Sequence, residues 1–444
     1  MRVLWRCAVL AVVAVGCGTP VEVPPAPDSG SMNDGGAGRD GGADAGPGDA
    51  GSTDAGSNDA GASDAGTGDG GTLDVGDAGA VWTFVPIAGS KCARGAQTGF
   101  GYSAGATDTL VIFLQGGGAC WNTGTCHPSL QQWGPVCNYG SNSVCLWDNP
   151  GGTQPLAAFV AHPDPFPADG GGAFPSELAQ VKSSLLFARR AENPLSAASY
   201  VFVPYCTGDL HAGDATRTYL VKADLVSNPA PVTHAFNGAR NMDLFLADLR
   251  ARHPTVNTIY LMGASGGGYG ASLNLHRVRA AFPEAVVHLL ADSAPMLDSP
   301  HWNDWASEWN IQLPPGCAGC DAGLSNVLER EIDLATGARV GLLAFQEDGV
   351  ITRFFFSGGD TNSWLNPPFA TYSASLNAEL LRYDARPAAR YFVVTGQEHV
   401  MLGGYGVVLS DGGISPARRS NDGGTDLRTW LNAWIDGGTW PSVH

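Results

Sequence analysis

From Trp82 onward, short continuous apolar runs alternate with amphipathic stretches, and this alternation restricts the fold more than any other feature of the chain. The runs are Thr109–Leu114, Ser199–Pro204, Thr258–Met262, Ala285–Leu290, Val340–Phe345 and Tyr391–Val394. A run this short and continuous suits a strand buried on both faces, the condition of a parallel sheet covered on two sides. Between the runs, Asn241–Arg252 places Met242, Phe245, Leu246 and Leu249 at helical spacing. Ala271–Phe282 does the same with Leu273, Leu275, Val278 and Phe282. The expected architecture is α/β, a doubly wound, mostly parallel sheet with helices on both faces.

The residues before this region read differently. Residues 18–80 are rich in Asp, Ala and Gly, with Asp44, Asp49, Asp54, Asp59, Asp64, Asp69 and Asp74 at intervals of five. That period fits neither helix nor strand, and the units lack an apolar residue around which a core could form. The same lack separates them from calcium-binding repeats. The segment reads as a disordered, self-repelling tether, able to span on the order of 40 Å. Eleven aspartates stand against one arginine between Asp28 and Asp77, so more than half of the net charge of −18 lies there. An acidic chain without a basic patch argues against a nucleic-acid partner.

Residues 1–17 read as a signal peptide with a lipobox. Arg2 and Arg6 precede a short apolar run, and Ala14-Val15-Gly16-Cys17 follows. The run is shorter than the roughly 20 apolar residues a bilayer span needs. Cys17 is the expected lipidation site, which makes the lipid the chain's only membrane contact. An ordinary secretory signal that is simply removed is the alternative. Residues 81–444 form the folded domain. Eight cysteines remain once Cys7 and Cys17 are set aside, an even number that reads as disulfides in an exported chain. Cys317 and Cys320 suit a local staple. No second C-x-x-C completes a four-thiolate zinc site, and no metal or organic cofactor is expected.

The chemistry-bearing motif is Gly263-Ala264-Ser265-Gly266-Gly267, a G-x-S-x-G pattern with a strand before it and a helix after it. That context suits a nucleophile elbow, where a serine sits on a tight strand-to-helix turn at a helix N-terminus. A nucleotide-binding glycine turn would want a phosphate-binding lysine, which is missing here. A serine needs a base and a third group that orients the base. In such folds the order is Ser, acid, His. His399 follows the last apolar run and is the expected base. Asp348, after the run ending at Phe345, is the preferred acid; Asp292, Asp360 and Glu347 are alternatives. Gln115-Gly116-Gly117-Gly118-Ala119 follows the first run. Its glycines let backbone N–H groups approach a substrate and supply half of an oxyanion hole, with the N–H of Gly266 as the other half.

These segments resemble the pectin acetylesterase family over roughly Lys91 to Val400. The similarity rests on Leu114–Trp121, Tyr205-Cys206-Thr207-Gly208-Asp209, Gly263–Gly268 and Ala291-Asp292-Ser293. The resemblance implies an α/β-hydrolase fold and carboxylic-ester hydrolysis, with Ser265, Asp348 and His399 as catalytic residues. It also implies Gly117, Gly118 and Gly266 as oxyanion donors and a Cys92–Cys206 disulfide. Gln115, Ala264 and Gly266 stand where the family pattern has Glu, Cys and Ala. The expected substrate is an O-acetyl group on an extracellular polysaccharide, met by an exported, surface-anchored enzyme. A lipid, fatty-acyl or polyester hydrolase and an inactive carbohydrate-binding relative are the alternatives. Trp302, Trp305 and Trp309 have helical spacing and read first as core; Trp121, beside the oxyanion glycines, is the better pocket residue.

Overall fold

The computed structural model describes residues 82–126, 186–187, 189, 191, 193–220, 231–357, 366–402, 421 and 423–444. They lie within one compact unit, Thr72–His444. The signal segment with Cys17, the 18–80 tether, Cys137, Cys145 and Asp360 lie outside the described residues.

The strands are β1 (Thr83–Pro86), β2 (Gly99–Ser103), β3 (Thr109–Leu114), β4 (Ser199–Val203), β5 (Ala215–Tyr219), β6 (Val232–Phe236), β7 (Thr258–Ala264), β8 (Val286–Asp292), β9 (Val340–Phe345) and β10 (Ala389–Val394). The principal helices are α1 (Gly238–Arg252), α2 (Gly266–Ala281), α3 (Trp302–Trp309), α4 (Leu324–Asp333), α5 (Gly349–Ser357), α6 (Phe369–Asp384) and α7 (Leu427–Asp436). Eight strands form one sheet in the order β1-β2-β4-β3-β7-β8-β9-β10. All pairs from β4 to β10 are parallel, while β1–β2 and β2–β4 are antiparallel. This is the α/β-hydrolase arrangement the sequence implied, and all six apolar runs are strands of it.

Strand periodicity sorts the side chains into two cores. Leu110, Ile112 and Leu114 of β3 face one layer, with Ile259 and Leu261 of β7 and Val340 and Leu342 of β9. Val111 and Phe113, Tyr260 and Met262, and Leu343 and Phe345 face the other. The first layer is closed by Met242, Phe245, Leu246 and Leu249 of α1 and by Leu273, Leu275 and Val278 of α2. Burying each such side chain stabilises by roughly 1.5–3 kcal/mol, well beyond what helix propensity adds per residue. The second layer is closed by Leu427, Trp430, Leu431 and Trp434 of α7.

The structure departs from the sequence reading at two kinds of place. Helix α2 begins at Gly266, not Ala271, because its first turn is glycine-rich and carries a weak helical signal. Strands β1, β5 and β6 lack a continuous apolar run because each is partly exposed, and β2 lacks one because glycines and a serine interrupt its buried sequence. Among the described residues, no helix is long and apolar enough to cross a membrane.

Disulfides join Cys92 to Cys206, Cys120 to Cys126, and Cys317 to Cys320. The first ties the segment before β2 to the end of β4, where Ala93 N also donates to Cys206 O at 2.9 Å. It closes a sequence separation of 114 residues. Loops of that order constrain the unfolded chain strongly. Replacing Cys92 and Cys206 together by Ser should lower unfolding stability by about 2–4 kcal/mol. Urea denaturation reads this directly, and an unchanged midpoint would show that packing alone holds the two segments.

His234 on β6 gives the fold a pH dependence. It is buried, its Nε2 donates to Thr207 O at 2.9 Å, and its ring lies 4.4 Å from that of Phe236. Burial lowers its pKa to about 4. The unfolded chain therefore binds more protons than the folded one between about 4 and the ordinary value of 6.5. The stability associated with neutral His234 is present above that window and is lost as pH falls through it. His234→Gln removes the titration, so wild type should lose stability relative to the variant between pH 6.5 and 4. Parallel denaturation curves across that range check this; a difference independent of pH contradicts it.

Candidate active site

Ser265 occupies the junction between β7 and α2, at the middle of the sheet between β3 and β8. Its backbone has a positive φ of 55°, with ψ −127°, a conformation that side-chain-bearing residues seldom adopt. Its N–H donates to Asp292 O at 2.8 Å, and its carbonyl accepts from Gly268 and Tyr269 N–H. The turn closes only because its neighbours lack side chains. A Cβ on Gly263 would fall 2.1 Å from Gly267 O, and one on Gly267 would fall 2.0 Å from Leu114 O. These are the contacts a nucleophile elbow requires. Ser265 is 8 % exposed, so it is reachable from a pocket but held by its surroundings.

His399 and Asp348 come from neighbouring strand ends. His399 lies on the loop after β10, and Asp348 lies between β9 and α5. His399 Nδ1 donates to Asp348 Oδ2 at 2.7 Å. A carboxylate oxygen only accepts, which leaves Nε2 as the basic nitrogen of neutral His399. The other oxygen of Asp348 accepts from Val350 and Ile351 N–H, each at 2.9 Å. Asp348 is fully buried and thereby held at both oxygens.

Asp292 has a different place. Its Oδ2 accepts from Met401 N–H at 2.7 Å and Leu402 N–H at 2.6 Å, and Ser293 Oγ accepts from Val400 N–H at 2.9 Å. It therefore anchors the loop that follows His399, whose imidazole bonds to Asp348 instead. Burial raises its carboxyl to about 6, against the lowering effect of the two backbone bonds and the field of His399. Glu347 pairs instead with Gln397 at 2.9 Å on the surface.

The glycine loop after β3 meets the elbow. A Cβ on Gly116 would fall 3.1 Å from Ser265 Cβ, and one on Gly266 would fall 2.9 Å from Gly117 O. Gly117 has φ 153°, open to glycine and strained for other residues. The structure thus brings the expected donors Gly117 and Gly266 together beside Ser265, with Gly118 next in the loop.

Ser265, Gly117 and Gly266 line a small pocket that opens to solvent. Its other walls are apolar. Trp121 was expected there and lines it. Trp305 and Trp309 are both core residues and wall residues, whereas Trp302 is buried in the core without lining the pocket. Trp305 is stacked on Trp309 at 6.0 Å and meets Trp121 at 5.5 Å. Trp309 Nε1 donates to Cys120 O at 2.6 Å, fixing the ring. Leu210, Tyr269, Ile351, Phe354 and Phe355 were missed from sequence. For Ile351, Phe354 and Phe355 the signal is the aromatic-rich stretch after Asp348, and for Tyr269 its place one turn beyond the elbow; Leu210 carries none.

Among the described residues, one cluster brings metal-ligand atoms within 4.8 Å of one another: Cys120, Cys126 and His234. The two sulfurs are joined in a disulfide, and it is the thiolate that binds metal. The cluster as it stands does not suit an ion.

Residues 177–308 match the family model described as pectinacetylesterase. Palmitoleoyl-protein carboxylesterase notum2 of Xenopus laevis is 31% identical over 126 residues, 27% of this chain and 24% of that protein. The chain thus matches about a quarter of the length of that curated relative. Two crystal forms of the Wnt deacylase Notum from Drosophila superpose with TM-scores of 0.52 and 0.53 at 16% identity. They cover 82% of this chain and 96% and 97% of theirs, a likeness of fold. By sequence match over part of its length and by fold, the chain is similar to the pectin acetylesterase/Notum-like family.

Proposed function

We propose that this protein is a serine carboxylesterase acting on ester-linked acyl groups outside the cytoplasm. The observation that carries the reading is the Asp348–His399 hydrogen bond on a sheet whose central elbow presents Ser265 to a pocket. Ser265 Oγ attacks the ester carbonyl while His399 Nε2 takes its proton. Asp348 holds the imidazole with Nδ1 protonated and stabilises the imidazolium that forms. The N–H groups of Gly117, Gly118 and Gly266 receive the oxyanion. Proton return from His399 releases the alcohol, and water then resolves the acyl-enzyme by the same steps in reverse order.

The pocket walls favour an apolar acyl chain longer than acetate. Each methylene buried against this aromatic lining adds about 0.8 kcal/mol. The Xenopus relative, a palmitoleoyl-protein carboxylesterase by name, supports an acyl group of that kind. The family description pectinacetylesterase favours the second reading, O-acetyl on an extracellular polysaccharide. Hydrolysis of p-nitrophenyl acetate, butyrate, octanoate and palmitate separates them. The apolar reading expects kcat/KM to rise from acetate to octanoate. A fall beyond butyrate supports the acetylesterase. In the same assay Ser265→Ala should abolish turnover, and Asp348→Asn should lower kcat by about 10⁴-fold through the wrong tautomer. Asp292→Asn should cost far less, since an amide oxygen still accepts from residues 401 and 402. The reverse order for the two Asp variants makes Asp292 the acid.

The disulfides among the described residues suit an oxidising compartment. We place the chain at the cell surface, held by lipid on Cys17 through the 18–80 tether, with residues 81–444 as the catalytic domain. Mass spectrometry of the mature N-terminus should show a diacylglyceryl-modified Cys17. An unmodified N-terminus elsewhere rejects the anchor and leaves a secreted enzyme.

A further inference from the structure

The turn Thr207–His211 grips the oxyanion loop at both ends. Gly208 O accepts from Cys120 N–H at 3.0 Å, at the loop's far end. At its near end, His211 Nε2 lies 2.9 Å from Gln115 O. A carbonyl only accepts, so Nε2 carries the hydrogen. The imidazole is wedged between the loop and the elbow helix. It stacks on Tyr205 with centroids 4.6 Å apart. A Cβ on Gly270 of α2 would fall 2.7 Å from His211 Cδ2. Asn274 of the same helix donates to His211 O and to Gly270 O, each at 2.9 Å. Tyr205 in turn packs its Cε1 against Gly266, 3.3 Å from where a Cβ would sit, and its N–H donates to Gln115 Oε1.

Holding this arrangement is costly to the backbone. Leu210 and His211 both take positive φ, 54° and 56°, and neither is glycine. Leu210 lines the pocket and His211 is buried. Strained non-glycine residues persist where the surroundings over-determine them, which is common at functional sites. Here Leu210 N–H donates to Tyr205 Oη at 2.8 Å. Asp209, fully buried, accepts from Thr207 Oγ1 at 2.6 Å and Gly238 N–H at 2.8 Å. A glycine loop has several conformations open to it, and an oxyanion hole works through donors that need no rearrangement.

We propose that His211 is a positioning residue: by donating from Nε2 to Gln115 O while seated on the elbow helix, it locks the 115–119 loop against Gly266 and so sets the oxyanion hole. His211 touches no reacting atom. Its burial, which lowers its pKa to about 4, keeps the ring neutral as the arrangement needs. The inference rests on the esterase reading above.

Three variants separate the donor from the ring. His211→Phe keeps an aromatic ring and removes the donor. His211→Gln places an amide N–H near the position of Nε2, whereas His211→Asn places it near Nδ1. His211→Phe and His211→Asn should lower kcat by about 10- to 100-fold with KM changed less than about threefold, because misplacement by an ångström costs rates of this order. His211→Gln should recover most of the loss. Affinity for a trifluoromethyl ketone, whose adduct with Ser265 carries an oxyanion, should fall in parallel with kcat. Wild-type kcat and inhibitor affinity in His211→Phe overturn the proposal, as does equal impairment of the Gln and Phe variants, which would mean packing alone. If the variants do not fold, nitrogen-15 histidine spectra of the wild type decide: a neutral His211 protonated at Nε2 supports the lock, and one protonated at Nδ1 overturns it. Fluorophosphonate labelling of wild-type Ser265 is the control. Its absence sinks the esterase reading and the lock together, while labelling with an unaffected His211→Phe sinks the lock alone.

Discussion

The site depends on Asp292, a fully buried residue at the end of β8 that binds in two directions. Its backbone carbonyl accepts from Ser265 N–H, and its side chain accepts from the two backbone N–H groups that follow Val400. One residue thus fixes the elbow and the loop that carries His399. Its neighbour Ser293 extends the brace, accepting from Val400 N–H and donating its own N–H to Leu343 O on β9. Val400 has φ 58°, an unusual conformation for a β-branched residue. The chain adopts it where three successive N–H groups, those of residues 400, 401 and 402, have partners waiting at the end of β8. Most of the non-glycine residues with positive φ among the described ones sit in this region: Leu210, His211, Ser265, Ser293 and Val400. Strain is concentrated where the proposed chemistry is, and the parallel sheet beneath supplies the rigidity that holds it.

Close backbone approach is the second constraint. Strand β3, the loop after it and the first turn of α2 lie so near one another that no side chain fits at Gly263 or Gly267. The same closeness brings Gly117 to Gly266 and gives two backbone N–H groups a common neighbour in Ser265. The Cys120–Cys126 disulfide and the Trp309–Cys120 hydrogen bond then hold the outer end of the loop against the pocket wall. The pocket and the proposed oxyanion hole are therefore parts of one packed unit.

The sequence by itself determined the layer architecture and the elbow. Strands covered on both faces are apolar at most positions, so the six runs were visible without a partner. The Ser265 turn was visible because only small residues permit it, and chain order singled out His399 and favoured Asp348. Tertiary structure decided the rest. Asp348 and Asp292 both end strands in the same layer, and only the direction of their oxygens distinguishes the one bonded to His399 from the one bonded to the backbone after it. The pairing of Cys120 with Cys126 and the double role of Trp305 and Trp309 depend on distances across the fold that no local pattern encodes. His211 shows the limit most plainly: its neighbours in sequence carry no sign of Gln115 or Gly270, and its meaning arises only where a strained turn brings it between a loop and a helix from elsewhere in the chain.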